Sequence, residues 1–361
     1  MTYCSKCGKP LQQSDANFCT SCGARLAPAS AYAPPPPAYA PPVYTPPQPA
    51  PAPPMAADRA TFRNTGLGFV LIGILLVAAL GLAFFSPMFF SIGNLENLFW
   101  SFVTYAIIGF AAVLSSRAKG PDLSVGYVAG LTSVIVALNA ADSGSLLTGL
   151  VIALVVGAAV GFVNGVCSVY LRISAVIVTL ITGFFAYFTG MLISQGYPIT
   201  PGFSRDNITG IAFLLLIVTF AVAFLLVLFT RLGQPSFKRD KEARLISFIF
   251  AYVGSAVIAV LAGLFLTLRL GVGMPTIGTH KELPILFIFA VVYSSRALDN
   301  RIAPVLFSLV PAWVWALLSN GLALLSVDVY TQNLITAAIT LVFMVLARVC
   351  RFERRRAPSL D

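Results

Sequence analysis

Four cysteines near the start of the chain have the spacing of metal ligands. Cys4 and Cys7 form one C-x-x-C-G turn, and Cys19 and Cys22 form a second one after eleven intervening residues. Two thiolates on a tight turn can bind one side of a tetrahedral Zn²⁺, and a second pair completes the coordination. The pattern predicts one structural zinc ion held by all four thiolates. The alternative is a pair of disulfides, which requires an oxidising compartment.

A glycine follows each cysteine pair, at Gly8 and Gly23, where a positive φ angle costs glycine little. Residues 1–27 are therefore expected to form a small zinc ribbon. This segment resembles the zinc-ribbon domains found at the N-termini of many bacterial membrane proteins, which are structural or bind a protein partner. Nucleic acid is not expected as a partner, because the ribbon has few basic residues and no aromatic pair on which bases would stack.

Residues for familiar catalytic chemistry are missing from the sequence. His280 is the only histidine, which excludes H-E-x-x-H metalloproteases and Ser-His-Asp triads. The sequence also has no G-x-x-x-x-G-K-[ST] loop to bind the phosphates of ATP. We therefore predict that the chain is not an enzyme.

The chain as a whole is strongly apolar. Hydrophobic residues make up 58% of the 361 residues and charged residues only 10%, whereas soluble domains have about 25% charged residues. A soluble fold of this length could not bury so much apolar surface, so most of the chain is expected in a lipid bilayer. The predicted fold is an all-α polytopic membrane protein with about ten transmembrane helices and a small N-terminal zinc ribbon.

Composition divides the chain into four segments. After the ribbon, residues 28–60 contain 13 of the 24 prolines, so they predict a disordered spacer, although their P-x-x-P spacings would also suit a binding partner. Residues 61–350 form the transmembrane domain, and residues 351–361 form a basic cytoplasmic tail. The predicted spans lie at 66–85, 97–115, 122–140, 146–170, 174–194, 210–230, 245–268, 283–297, 303–325 and 329–349.

The positions of the basic residues predict the orientation of the chain. With the N-terminus inside, the inner loops carry ten lysines and arginines and the outer loops carry three, as the positive-inside rule requires. Both termini are therefore expected in the cytoplasm, on a bacterial-type plasma membrane that the chain crosses many times. Reducing conditions there favour zinc over disulfides. The span at 283–297 is short, and it either crosses the membrane or forms a re-entrant half-helix.

A few polar residues interrupt the apolar spans. At an N-cap, the Asp122 side chain would accept hydrogen bonds from free backbone amides, and Gly126 and Gly130 leave room for a close helix contact. Asn164 and Thr179 lie within apolar spans, so they are expected to face protein or a cavity instead of lipid. Hydrogen bonding between helices and contact with a solute are both open as their roles.

Three of these stretches resemble motifs of a known family. The segment "GPDLSVGYVAGL" at 120–131, the G-x-x-x-G-x-x-N-G turn at 157–165 and the closing G-x-P-I at 196–199 are similar to those of ABC transporter permeases of the ribose, galactose and xylose type. The resemblance extends from about residue 97 to residue 199. It implies that two permease subunits form a pathway, that cytoplasmic ATPases dock on them, and that an extracytoplasmic solute-binding protein delivers the solute.

The resemblance implies that the chain is the permease subunit, in a homodimer or heterodimer, of an importer for a sugar or sugar-like solute. Its candidates for the translocation pathway are Asp122, Ser124, Asn164 and Thr179. In the C-terminal half, the family's Y-A-x-G-x-N segment, which meets the ATPase, is replaced by a charged run. The candidates for ATPase contact are Lys238, Arg239, Asp240, Lys241, Glu242 and Arg244.

The missing contact segment leaves a second function open. The chain would then be a permease-derived, non-transporting membrane scaffold or sensor that recruits partners through the zinc ribbon. The charged run would in that case be an ordinary solvated loop. An ATPase and a solute-binding protein encoded beside this chain would favour transport.

Overall fold

The chain divides into two compact units, Met1–Ala52 and Pro53–Asp361. Their structure, a computed structural model, describes residues 3–4, 6–10, 18–25, 73, 75–77, 80–81, 86–118, 120–202, 208–229, 241–294 and 303–356.

The described part of the larger unit is built from α-helices. A π-helical turn, Val166–Tyr170, extends the third helix, and a 3₁₀ turn, Pro275–Gly278, lies between the sixth and the seventh. The helices are α1 (Ile92–Ser116), α2 (Val125–Ser143), α3 (Leu146–Gly165), α4 (Ala175–Ser194), α5 (Ile208–Phe229), α6 (Lys241–Leu270), α7 (Glu282–Ser294), α8 (Ala303–Phe307), α9 (Leu309–Leu324) and α10 (Val329–Arg356).

Seven helical segments among the described residues are long and apolar enough to cross a membrane, which confirms the predicted all-α polytopic fold. The predicted span at 210–230 is found as α5, whose apolar centre is Leu214–Leu225. The span at 283–297 is found as α7, which has only 13 residues. At 1.5 Å per residue this helix is about 20 Å long, too short to cross about 30 Å of hydrocarbon alone. The predicted span at 66–85 lies mostly outside the described residues.

Helix α6 is packed closely against α3 because α3 presents a stripe of glycines to it. A Cβ atom built on Gly161 would lie 2.6 Å from the carbonyl oxygen of Tyr252, and one built on Gly165 would lie 2.9 Å from the Cα atom of Ile249. Small residues at four-residue spacing allow two helix backbones to approach in this way. The side chains of Tyr252 and Phe265 on α6 are almost fully buried, so α6 lies in the core of the unit.

The start of α2 corrects one detail of the sequence prediction. Asp122 was expected at the N-cap, but the helix begins at Val125 and Ser124 occupies the N-cap position. Asp122 still accepts a hydrogen bond from a backbone amide, that of Ser124, at 3.0 Å. This local turn, in which an aspartate bonds the amide two residues ahead, delays the first helical residue.

Candidate functional site

The zinc ribbon is formed by two similar knuckles. In the first, the Gly8 amide donates to the Cys4 carbonyl at 2.9 Å, and in the second, the Gly23 amide donates to the Cys19 carbonyl at 2.8 Å. Both glycines have a positive φ, 72° and 68°, as the sequence predicted.

The four cysteine sulfurs have the geometry of a tetrahedral metal site. All four lie within 4.8 Å of one another, and the Cys4–Cys22 and Cys7–Cys19 sulfur pairs are each 3.8 Å apart. A tetrahedron with Zn–S bonds of about 2.3 Å has edges of about 3.8 Å. The donor set therefore fits Zn²⁺.

The second candidate site lies around Asp122, at the entry to α2. The Asp122 side chain is completely buried, and its backbone amide donates to the Ser115 hydroxyl of α1 at 3.1 Å. The Tyr252 hydroxyl of α6 donates to the carbonyl of Gly120 at 3.1 Å. The segment before α2 is thus bonded to both α1 and α6.

A chain of side-chain hydrogen bonds leads from Asp122 to two further helices. The Ser124 hydroxyl donates to Asp122 Oδ1 at 2.6 Å, and Asn164 Nδ2 of α3 donates to the Ser124 hydroxyl at 3.0 Å. The Thr182 hydroxyl of α4 then donates to Asn164 Oδ1 at 2.6 Å. Beside this chain, Thr179 Oγ1 accepts the Leu123 amide at 3.1 Å.

The structure therefore brings together all four pathway candidates, Asp122, Ser124, Asn164 and Thr179. Each has no exposed surface, and their contacts join α2, α3 and α4. These contacts are the hydrogen bonds between helices that the sequence left open as one role. Thr182, which completes the chain of bonds, was not singled out from the sequence, although it lies three residues after Thr179 on the same helix face.

The segment between α6 and α7 folds back along α2. Gly273 contacts Ser133, the carbonyl of Pro275 contacts Gly130, and the carbonyl of Gly278 contacts Gly126. Residue numbers rise along the segment and fall along α2, so the two run antiparallel. The contacts begin at Ala137 and end at Gly126, about 16 Å along the helix. Residues 271–281, named here the re-entrant segment, therefore turn back into the helix bundle, and the short α7 continues from them.

Hydrogen bonds to a side chain and to the backbone hold the first part of this segment in place. The Met274 amide donates to the Ser133 hydroxyl at 3.1 Å, and Ile199 and Gly273 exchange two backbone bonds of 2.9 and 2.8 Å. On the other side, a Cβ atom built on Gly190 of α4 would lie 3.0 Å from Pro275 Cγ. The re-entrant segment is therefore held between α2 and α4. From the sequence, this segment was assigned to an outer loop. Its closely spaced glycines and proline were the feature that could have indicated its close packing.

Comparison with known proteins follows the same two-part division of the chain. A family model for a zinc-ribbon domain matches residues 1–26. The chain is 30% identical to the ribose import permease protein RbsC of Escherichia coli (strain K12), over 76% of this chain and 92% of that protein. This chain belongs to the ribose-type ABC import permeases.

Other permeases show the same relationship. The permease is 30% identical to RbsC of Haemophilus influenzae (strain ATCC 51907 / DSM 11121 / KW20 / Rd), over 74% of this chain and 88% of that protein. It is 25% identical to the galactose/methyl galactoside import permease protein MglC of Escherichia coli (strain K12), over 78% and 94%. No solved structure matches the permease significantly.

The relationship reaches well beyond the segment 97–199 that carries the recognisable motifs. Three quarters of the permease aligns with RbsC, because exchanges among apolar residues keep a membrane helix intact while they erase short motifs.

Of the candidates for ATPase contact, Lys238, Arg239 and Asp240 lie outside the described residues. The other candidates, Lys241, Glu242 and Arg244, lie in the first turn of α6.

Proposed function

We propose that this protein is the membrane-spanning permease subunit of an ABC importer for a sugar or sugar-like solute, driven by a separate ATPase. The observation that carries the proposal is the alignment with the ribose import permease RbsC, which covers 92% of that relative. The relatives quoted above are named as import permeases, which favours transport over the scaffold or sensor.

The proposed assembly has partners on both sides of the membrane. A second permease subunit, identical or related, completes the pathway, a cytoplasmic ATPase docks at 238–244, and an extracytoplasmic solute-binding protein delivers the solute. The excess of basic residues in the predicted inner loops supports an orientation with both termini in the cytoplasm. The ribbon at 1–27, tethered by residues 28–60, then lies on the ATPase side.

The hydrogen-bonded residues around Asp122 are proposed to act at the pathway by controlling the position of α2. Polar side chains within membrane helices are expensive unless they are bonded to one another. Because Ser124, Asn164 and Thr182 form one chain of bonds, a shift of α2 during transport has to break or exchange them. Thr179 holds the same entry segment through the Leu123 amide.

Uptake and partner capture together test this function. The full chain is purified from its native membrane, co-purified proteins are identified, and the same membranes are assayed as vesicles for uptake of radiolabelled sugars and sugar acids. We expect an ABC ATPase to co-purify and uptake to require ATP. A protein that brings down no ATPase and moves no member of the solute panel would end the importer proposal and leave the scaffold.

A further inference from the structure

A buried tyrosine on α6 lies between the proposed ATPase contact and the polar residues around Asp122. Tyr252 has the largest fully buried side chain among the described residues. Helix α6 begins at Lys241, in the run proposed for ATPase contact, and Tyr252 lies about 12 Å along the helix axis from Arg244. A phenylalanine would supply the same apolar ring. The distinguishing group is therefore the hydroxyl, which costs free energy in the interior unless it is hydrogen-bonded.

The ring of Tyr252 packs where three elements meet at the predicted inner end of the unit. It forms a hydrophobic cluster with Val169 of the π-helical turn and Ala175 at the start of α4. Leu245 and Phe248, in the first turns of α6, pack against this cluster. Because a close-packed interior has few voids, it transmits a displacement of one part to the next. A movement of the first turns of α6 is therefore passed to Tyr252.

The Tyr252 hydroxyl acts on the segment that leads into α2. It donates to the carbonyl of Gly120 at 3.1 Å, and only Pro121 separates Gly120 from Asp122. The ring of a proline fixes its φ angle, which leaves little freedom between its two neighbours. A shift of Gly120 is therefore carried to Asp122, whose carboxylate accepts a hydrogen bond from the Ser124 hydroxyl at 2.6 Å.

The segment before α2 is the element that both sites can move. It is bonded to α6 through Tyr252 on one side. On the other side it is bonded through Asp122 and Ser124 to Asn164 of α3. Coupling between two sites requires an element whose position both of them bias, and this segment meets that requirement.

We propose that Tyr252 is a positioning residue that couples ATP hydrolysis to the movement of α2. When the ATPase displaces the first turns of α6, the Tyr252 hydroxyl moves the Gly120 carbonyl with them, and the shift of Asp122 exchanges the hydrogen bonds that hold α2. Without this hydroxyl the ATPase still docks and hydrolyses ATP, but α2 no longer follows. This inference rests on the transport function proposed above and names the residue through which ATP drives it.

The ratio of uptake to ATP hydrolysis measures this coupling. Tyr252→Phe removes one hydroxyl and keeps the ring. Uptake of the panel of radiolabelled sugars and sugar acids is measured in cells that carry the variant in place of the wild type, and ATP hydrolysis is measured on the co-purified complex. We expect docking and hydrolysis to be retained, while uptake per ATP hydrolysed falls on the order of tenfold. That change corresponds to about 1.4 kcal/mol, the contribution of one hydrogen bond.

Two further variants make the test specific. Tyr170→Phe is the matched control, because it removes the same hydroxyl from an exposed position on the π-helical turn, and it should leave the ratio unchanged. Pro121→Ala loosens the connection between Gly120 and Asp122, so it should lower uptake while hydrolysis is retained. Gel filtration and thermal unfolding check that each variant is folded.

Each outcome bears on one of the two proposals. A wild-type ratio in Tyr252→Phe overturns the coupling role and leaves the importer intact. A parallel loss of hydrolysis and uptake, with a lower unfolding temperature, shows a structural role for Tyr252 and also overturns it, as does an equal fall of the ratio in Tyr170→Phe. If Tyr252→Phe does not fold, an unchanged ratio in Pro121→Ala overturns the proposal. A wild-type protein that binds no ATPase and takes up no panel solute rejects the importer together with its coupling residue.

Discussion

Gly126 and Gly278 pack backbone against backbone, the first on α2 and the second at the end of the 3₁₀ turn. A Cβ atom built on either glycine would overlap the carbonyl group of the other. Gly130 is in the same situation against the carbonyl of Pro275. The re-entrant segment can therefore approach α2 only along a face without side chains, and this approach places Lys281 beside α2.

Gly126→Ala should force this segment away from α2. Overpacking of a close contact costs about 1–3 kcal/mol, so we expect a lower unfolding temperature and weaker solute binding. Gly93→Ala on α1 is the control, because a Cβ atom there would meet no atom within 4 Å. Thermal unfolding followed by gel filtration compares the two. Equal unfolding temperatures for both alanine variants would contradict the close backbone contact.

Replacements of Asp122 should separate its hydrogen bonds from its charge. Asp122→Ala leaves the Ser124 amide and hydroxyl without their acceptor, and we expect a loss of about 1–3 kcal/mol in stability. Asp122→Asn keeps an oxygen for Ser124 and removes a buried charge, so it should be tolerated. Thermal unfolding of the three proteins measures the difference. If the asparagine variant is as unstable as the alanine variant, the charge itself is required.

The sequence was sufficient for features that rest on local pattern. The grouping of Cys4, Cys7, Cys19 and Cys22 was predictable because metal-ligand spacing is a property of short turns. The membrane helices were predictable because a span of about 20 apolar residues has few alternatives. The clustering of Asp122, Ser124 and Asn164 followed less directly, from the rule that polar groups in membrane spans face protein.

The remaining features depend on contacts between distant segments. Gly126 and Gly130 were expected to contact a helix, but their partner is the backbone of the 3₁₀ turn, more than 140 residues later in the chain. Hydropathy assigned Lys281 to an outer loop because a re-entrant segment and an ordinary loop have similar composition. Only the antiparallel contacts with α2 show that Lys281 packs beside Gly126 of that helix.

The ribbon should lose its metal when one cysteine pair is removed. We expect the Cys4→Ser and Cys7→Ser double variant to bind no zinc and to unfold the ribbon, because metal binding provides the folding energy of such small domains. Cys167→Ser on the π-helical turn is the control and should retain one zinc per chain. Metal analysis of the purified proteins measures both. An intact protein without zinc would reject the metal site.

The orientation of the chain can be measured with single cysteines. In a background in which Cys167 and Cys350 are replaced by serine, we expect an impermeant thiol reagent added outside to label Ser143→Cys at the end of α2. The same reagent should not label Ser236→Cys, which lies outside the described residues in a predicted inner loop. Labelling of Ser236→Cys in sealed cells would reverse the topology and remove the ATPase contact from 238–244.

The charged run before α6 should carry the contact with the ATPase. A working importer needs an inner surface on which an ATPase can dock, and the run 238–244 is the most polar segment between predicted spans. Reversal of Lys238, Arg239 and Lys241 to glutamate should break docking, because like charges across an interface cost several kcal/mol. ATPase co-purification and ATP-dependent uptake should both be lost, while zinc content and membrane insertion are retained.

A second triple reversal makes this last prediction specific to the run. Glutamate at Arg354, Arg355 and Arg356 changes the net charge by the same amount in the basic C-terminal segment, and we expect it to leave the ATPase bound. Because both variants have the same net charge, a difference between them reports position and not a general repulsion. If the tail reversal releases the ATPase and the loop reversal does not, docking belongs to the tail. If both variants retain the ATPase and transport, neither basic segment forms the contact.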